Sequence, residues 1–325
     1  MQSTLLIPLL KRIGWGMVTL WGVSLIAFAL MFIVPRFGKS KLAKESADDP
    51  TTMMAMTIAG AHTDPETIAN IKRDRGLDKP LHIQYFRFVS DALTNNLKSY
   101  RNNDKVLSAI ARRFPATLWL ALAGLTIWLV VAIPLGSLTA KYAGTFFDRA
   151  ALFLGIIALS IPTFWLGRIL QYYAGYQWQW ASVGGEASWW NLPLPALTLG
   201  LGGAAYYSRL LHANLRGVLA QEYVRAARAR GLPETQVIGK HALKNALIPL
   251  ITVLGMDFAS LLSGLIFTEK IFGWPGIGSL AVDSVFNQDT PMIMGTVLFS
   301  AFVVIVANIV VDFAYRFIDP RVRLS

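Results

Sequence analysis

Residues 116–140, ATLWLALAGLTIWLVVAIPLGSLTA, carry no charged side chain. A helix crosses the hydrocarbon of a bilayer with about 20 predominantly apolar residues, so this stretch reads as a membrane span. Five more segments have the same character. Ile13–Val34 and Pro291–Val311 are uncharged, and the latter stops at Asp312. Ala150–Gly167 is uncharged and ends at Arg168; Asn191–Ser208 starts after a Trp pair and ends at Arg209. Asn245–Thr268 holds one acid, Asp257. The third and fourth spans in chain order are short and are expected to extend through their aromatic flanks. The whole chain is 54% hydrophobic and 15% charged, an apolar excess over ordinary globular composition. The expected fold class is an all-α integral membrane protein with six transmembrane helices and a long external loop after the first.

The first apolar run is too long for a secretory signal, and no small-residue cleavage site follows it, so it is read as a retained span. There is no cysteine, which excludes disulfides and thiolate metal sites. His62, His82, His212 and His241 are scattered without metal-ligand spacing, so no metal site is expected. The net charge is +11. Nucleic acid is not the expected partner, because the basic residues flank the spans. Lys11, Arg12, Lys141 and Arg149 do so, as do Arg209, Arg216, Arg225, Arg228, Arg230, Lys240 and Lys244, and Arg316, Arg321 and Arg323 near the C-terminus. The loop 171–190 has no Lys or Arg. The positive-inside rule then places both termini and the loop after span four in the cytoplasm.

Three parts follow along the chain: 1–34, a tail and first span; 35–114, an external loop with short amphipathic helices; and 115–325, a five-span core that includes a cytoplasmic loop, 213–244. In the external part, Lys39–Ala61 with its Met cluster is expected to be mobile. Thr63-Asp-Pro-Glu66 reads as a helix start and Gly76 as its stop. Leu81–Leu97 is amphipathic, with Phe86, Val89, Leu93 and Leu97 expected on one face. Val106–Phe114 reads as a separate short helix before Pro115. Tyr172, Tyr173, Tyr176, Trp178, Trp180, Trp189 and Trp190 read as an interfacial aromatic belt. Pro134 and Pro162 are expected to kink their spans.

Between spans four and five lies EYVRAARARGLPETQVIGKHALKNALIP, Glu222–Pro249. Ala226, Ala227 and Ala229 make a smooth helix that another backbone can approach. Arg225 and Arg228, three apart, share a face. Gly231 suits a left-handed helix end and Pro233 the first turn of the next helix. Fixing topology needs a few basic residues, not two helices with a Gly-x-Pro break. The insert therefore reads as a helical hairpin that couples a partner to the spans.

At these residues the chain resembles the permease subunits of binding-protein-dependent ABC importers, in the dipeptide/oligopeptide/nickel branch. The family's cytoplasmic signature is Glu-Ala-Ala, three residues, Gly, nine residues, Ile-x-Leu-Pro. Anchored on Gly231, Ala226, Ala227 and Leu243 match, while Arg225 stands for Glu, and His241 and Lys244 for Ile and Pro. The peptide branch reads close to YVRTARAKGL…HALRNALIP, which Tyr223–Leu232 and His241–Pro249 match almost throughout. Gly76-Leu-Asp-Lys-Pro80, Arg113-Phe-Pro-Ala-Thr-Leu118, Thr268–Gly278 and Asp319-Pro-Arg321 are similar to further branch elements in the same order. Pro35-Arg36-Phe37-Gly38 departs from the branch's Pro-Gly-Asp-Pro.

The resemblance implies an importer of dipeptides or oligopeptides, with nickel or oligosaccharides as the alternative cargo. It implies a second homologous permease, two ABC ATPase subunits that carry the ATP and Mg, and an external solute-binding protein. It also implies a bacterial inner membrane with its lipid. Arg225, Ala226, Ala227, Arg228, Gly231, Leu232, His241 and Leu243 would form the ATPase-coupling loop. Glu269, Phe272, Trp274, Pro275, Gly276 and Gly278 would form an external turn at a gate or interface, with Phe272 and Trp274 as interfacial anchors.

No Walker A is expected on this chain, since Glu234 stands where the first glycine before Gly239-Lys240 would be. No catalytic constellation stands out, so the chain is not read as an enzyme. Asp257 is the one acid deep in a span and is a functional candidate by default. It is open to lining the pathway, or to pairing with Arg168 or a partner subunit. An ion-coupled secondary transporter is the rival class; it normally needs several intramembrane ionisable groups.

Overall fold

The structure, a computed structural model, describes residues 3–34, 50–59, 64–262 and 265–318. Pro35–Gly38, most of 39–61, Thr63 and Asp319-Pro320-Arg321 lie outside the described residues. Among the described residues the elements are all helical. The chain runs α1 (Ser3–Phe28), a π-helical turn (Ala29–Ile33), α2 (Pro50–Ala59), α3 (Pro65–Arg75), α4 (Leu81–Leu93) and α5 (Val106–Lys141). Then come α6 (Phe146–Ser160), α7 (Thr163–Leu170), a second π-helical stretch (Gln171–Gln177) and α8 (Pro193–Leu219). After these follow α9 (Glu222–Ala229), the single turn α10 (Glu234–Gln236), a third π-helical stretch (Val237–Ala242) and α11 (Leu243–Leu262). The last elements are α12 (Ile266–Ile271), α13 (Ile277–Phe286) and α14 (Thr290–Ile318).

Four helical stretches are long and apolar enough to cross a membrane: Leu9–Ile33, Val106–Lys141, Glu234–Leu262 and Thr290–Asp312. A fifth crossing is available if α6 and the helix that follows it form one broken span, bent by 96°. The expected span Ala150–Gly167 lies within this broken pair, and the kink expected at Pro162 is a full break. Ile161 precedes Pro162 and is extended, with ψ 121°, because a residue before proline is sterically pushed out of the helical region. The expected fourth span falls within α8, which has the length. Gly200, Gly202, Gly203, Tyr206, Tyr207 and Ser208 lower its hydropathy. The fifth span stops at Leu262, short of Thr268, and Ile266–Ile271 is a separate helix. Val106–Phe114 is not a separate helix either: α5 runs unbroken for 36 residues, about 54 Å at 1.5 Å per residue.

By contacts the chain forms two compact units, residues 1–115 with 277–305, and residues 116–276 with 306–325. In the first, Asp64 caps α3 by accepting from the Thr67 backbone N–H at 3.0 Å. Gly76 ends α3 with φ 67°, the left-handed state that glycine enters without a Cβ clash. The packed face of α4 is Gln84, Tyr85 and Phe88; Phe86 (69% exposed) and Leu93 (83%) point away. Of the expected face, Val89 and Leu97 do pack partly onto the cluster behind the helix, so periodicity alone places two of its four residues correctly. The Met segment is helical from Pro50, and its Met54 joins Phe28, Phe32, Leu77, Tyr85, Phe88 and Met294 in one cluster. The Ser24 hydroxyl and the Tyr85 phenol are hydrogen-bonded at 2.8 Å, tying α1 to α4. The 98–105 turn is held by Asp289, whose carboxylate accepts from the Ser99 hydroxyl and, at 3.0 Å, from the Tyr100 N–H. Burial pushes the Tyr100 phenol up to about 12.

In the second unit α5 and α8 approach through glycines. A side chain on Gly136 would strike the Ser208 carbonyl and Leu211; one on Gly200 would strike Ile127, and one on Gly203 the Trp128 ring. Small residues at helix contacts are how membrane helices gain close packing without a hydrophobic drive. Trp128 Nε1 donates to the Leu199 carbonyl at 2.8 Å. Tyr207, Leu211 and Leu215 of α8 then meet Leu250 and Ala246 of α11 in the main core.

Candidate functional site

The basic hairpin grows out of that core. Gln221 precedes α9 with extended backbone (ψ 151°), and Arg230 ends it. Gly231 follows with φ 79°, the left-handed state anticipated for it, and Pro233 leads into the second arm. Val224 and Ala227 of the first arm, and Val237, Ile238 and Ala242 of the second, are buried against Leu215 and its neighbours. Leu232 and Leu243 pack partly onto the same cluster. Arg225, Ala226, Arg228, Ala229 and Gly231 are exposed, and His241 is half-buried. Ala227 thus belongs to the inward face, not to an approachable surface. With 3.6 residues per turn, Val224 and Ala227 lie three apart on one stripe, which leaves Ala226 and Ala229 outside. A side chain on Gly231 would meet nothing within 4 Å.

Arg228 joins the two arms by donating from Nε to Glu234 Oε2 at 3.1 Å and from Nη2 to Oε1 at 2.7 Å. This bidentate contact holds the Glu234 carboxyl below the usual carboxylate range. It lifts the Arg228 guanidinium further, chiefly through the same hydrogen bonds. Asn245 donates to the Tyr223 hydroxyl at 2.7 Å, a second clasp between the arms. The π-helical stretch 237–242 and these clasps had no sequence signal beyond the residue types themselves.

The Glu269 turn has the opposite character. Glu269 is fully buried and accepts from the Thr117 hydroxyl of α5 at 2.7 Å. Phe272 and Trp274 are each 1% exposed, so neither is an interfacial anchor. The Trp274 indole N–H instead donates to the Ala116 carbonyl at 2.8 Å. The Phe272 carbonyl accepts from the Gly185 N–H at 2.8 Å, fastening the aromatic 171–190 loop. A side chain on Gly276 would overlap the Glu269 carboxylate, which explains that glycine beside half-buried Pro275. Gly273 makes the turn with φ 60°. Gly278 makes no turn; it is a buried residue inside α13. A buried carboxyl group needs hydrogen-bond partners, and Thr117 supplies one.

Asp257 of α11 accepts from the Tyr207 hydroxyl of α8 at 2.7 Å. Arg168 does not reach it and donates to Gln171 at 2.9 Å. Tyr207 is itself fully buried, with its ring 5.3 Å from Trp128. A lone acid in a span demands a donor from a neighbouring span, but nothing in the sequence selects Tyr207 among several tyrosines. His212 Nδ1 of α8 and Asp148 Oδ1 of α6 approach to 3.5 Å without forming a hydrogen bond. Among the described residues no group of His, Cys, Asp and Glu is arranged to hold a metal ion.

Long apolar helices packed through glycines, with a basic helical hairpin built on their core, define the class: a polytopic membrane transport subunit. The family comparison is specific. The chain belongs to the family described as "Binding-protein-dependent transport system inner membrane component", matched over residues 132–324. The matching N-terminal component covers residues 5–121. It is 36% identical over 316 residues to the glutathione transport system permease protein GsiC of Salmonella paratyphi A (strain ATCC 9150 / SARB42), covering 97% of this chain and 98% of that protein. The protein of the same name from Escherichia coli (strain K12) is 34% identical over 315 residues, with the same coverage. Among solved structures, an inward-facing MetNI methionine ABC transporter is similar with a TM-score of 0.55. That match is 20% identical and covers 66% of this chain and 97% of the other; it supports the fold. The chain is an ABC importer permease subunit.

Proposed function

We propose that this permease imports short peptides of the size of glutathione, driven by ATP hydrolysis on separate subunits. The cargo class rests on the full-length similarity to permeases named for glutathione, a tripeptide. The coupling rests on one observation: the hairpin's inner face is part of the span core, while Arg225, Ala226, Arg228 and Gly231 stay open. Two ABC ATPase subunits, binding ATP and Mg, dock there on the cytoplasmic side. Their closure pushes the hairpin, and α8 and α11 carry the displacement to the spans. Rigid elements with two discrete arrangements are what such coupling needs. Arg225 replaces the family's Glu, so the ATPase surface that meets it is acidic. A second homologous permease completes the pathway, and an external solute-binding protein delivers cargo. Asp257, clasped by Tyr207, braces α8 against α11 along that pathway.

Reconstitution tests this reading. Vesicles holding the permease, its homologous partner, the ATPases and the binding protein are loaded with ATP. Uptake of glutathione and of a dipeptide is compared with uptake of nickel and of an oligosaccharide. Peptide uptake that stops when ATP is withdrawn supports it. Uptake of nickel or oligosaccharide alone sinks the cargo assignment, and uptake without ATP sinks the ABC mechanism.

A further inference from the structure

Two cavities meet in the unit formed by residues 1–115 and 277–305. One, of about 500 Å³, is apolar and lined by Trp21, Val89, Ala92, Leu107, Leu298 and Phe302 among others. The other, of about 430 Å³, is polar, with Asp74, Arg75, Gln84, Arg87, Asp91 and Lys98 in its walls. Phe88 and Leu97 line both, so together they form one amphiphilic cleft. Its direction is the same on two spans. On α14, Thr290 and Met294 line the polar room, while Gly295 to Phe302 line the apolar one. On the first span, Phe32 lines the polar room and Met17 to Ser24 the apolar one. From Phe32 to Met17 is about 22 Å of helix, comparable with one leaflet of a bilayer and part of its head-group zone. Polar room thus sits at the span ends and apolar room runs alongside the spans.

The polar groups specify the occupant further. Gln84 donates from Nε2 to the Leu77 and Lys79 carbonyls at 3.0 and 2.6 Å. Its Oε1 is buried and accepts no hydrogen bond among the described residues. Arg75 reaches Asn103 at 3.3 Å, and Arg87 reaches the Asp74 carbonyl at 3.3 Å and Asp91 at 3.9 Å. These are long contacts, which a phosphate would better. Three cations and two carboxylates suit a zwitterion: phosphate on Arg75, Arg87 and Lys98, ammonium on Asp74 and Asp91.

We propose that this cleft binds one phospholipid with a primary ammonium head group, phosphatidylethanolamine, with its head in the polar room and an acyl chain in the apolar one. A choline head has no N–H to donate to Asp74 and Asp91, and a glycerol head brings no cation to the two carboxylates. The site is independent of the cargo.

The test uses the full chain purified with its partner subunits, delipidated and exposed to vesicles of phosphatidylethanolamine, phosphatidylcholine or phosphatidylglycerol. Bound lipid is counted by native mass spectrometry. One phosphatidylethanolamine is expected to remain, at least tenfold above either other lipid. Ala92→Trp, which fills the apolar room, and Arg75→Gln, which removes a phosphate contact, are each expected to lower retention tenfold or more with the subunits still assembled. If Ala92→Trp fails to assemble, Leu298→Phe replaces it, and the Arg75→Gln result stands on its own. Equal retention of the three lipids, or retention unchanged in the assembled variants, overturns the proposal. So does trialanine shielding Lys98 from acylation in the lipid-free complex, which would give the polar room to a peptide.

Discussion

The basic hairpin and the Glu269 turn carry the same punctuation, glycine and proline between helical pieces, yet the structure uses them in opposite ways. Around Gly231 there is open space within 4 Å; at Gly276 any side chain would collide with a buried carboxylate. The hairpin keeps its arginines outside and its Val224–Ala227 stripe inside. The turn buries its acid and both of its aromatic side chains. A glycine that needs a left-handed backbone and a glycine that needs an absent Cβ look alike in sequence. The difference predicts where substitution harms folding and where it harms coupling alone.

The largest effect is expected at the buried turn. Gly276→Val forces a side chain onto the Glu269 carboxylate, and overpacking of this kind costs about 3 kcal/mol. Thermal unfolding of the purified complex is expected to drop, with a low yield from membranes. A yield and melting temperature like the parent's would mean that the turn is not packed as described. Gly231→Val is the counterpart. Holding a β-branched residue at φ 79° costs roughly 1–2 kcal/mol, but nothing is struck, so assembly should survive. Uptake per ATP hydrolysed is expected to fall at least tenfold. Unchanged coupling would erase the contrast between the two glycines.

The smallest effect concerns the clasp between the hairpin arms. Arg228 and Glu234 are 40% and 38% exposed, so solvent screening leaves the pair worth only about 0.5 kcal/mol. Glu234 has a depressed folded pKa. Its contribution is therefore fully present above the ordinary glutamate value of 4.5 and is lost as pH falls below it, through the depressed value. Glu234→Gln is expected to remove that acid dependence with little change in stability at neutral pH. A large loss at neutral pH would show that the arms depend on this pair more than its exposure allows.

Local chemistry was legible where it is self-contained. The Asp64 and Gly76 ends of α3 and the left-handed Gly231 follow from residue type and a neighbour or two. The apolar runs marked four of the crossing helices. What was not legible depends on contacts distant in sequence. Thr117 and Glu269 lie 152 residues apart, and Tyr207 and Asp257 lie 50 apart. The packed face of α4 is chosen by Phe28, Phe32 and Met294, not by its own pattern alone. Pro115 and Pro162 are the same residue type, yet one sits in an unbroken helix and the other marks a 96° break. In the hairpin, Ala226 and Ala227 are adjacent and identical, and only the core behind them decides which one is outside.

That last pair gives the most direct test of the hairpin as the ATPase-coupling element. The chain has no cysteine, so single cysteines can be placed without background. Ala226→Cys and Ala229→Cys are expected to cross-link to the ATPase subunit in the assembled transporter, with a yield that changes on ATP binding, while Ala227→Cys does not. No cross-link from the two outer positions, or an equal one from Ala227→Cys, would contradict the account.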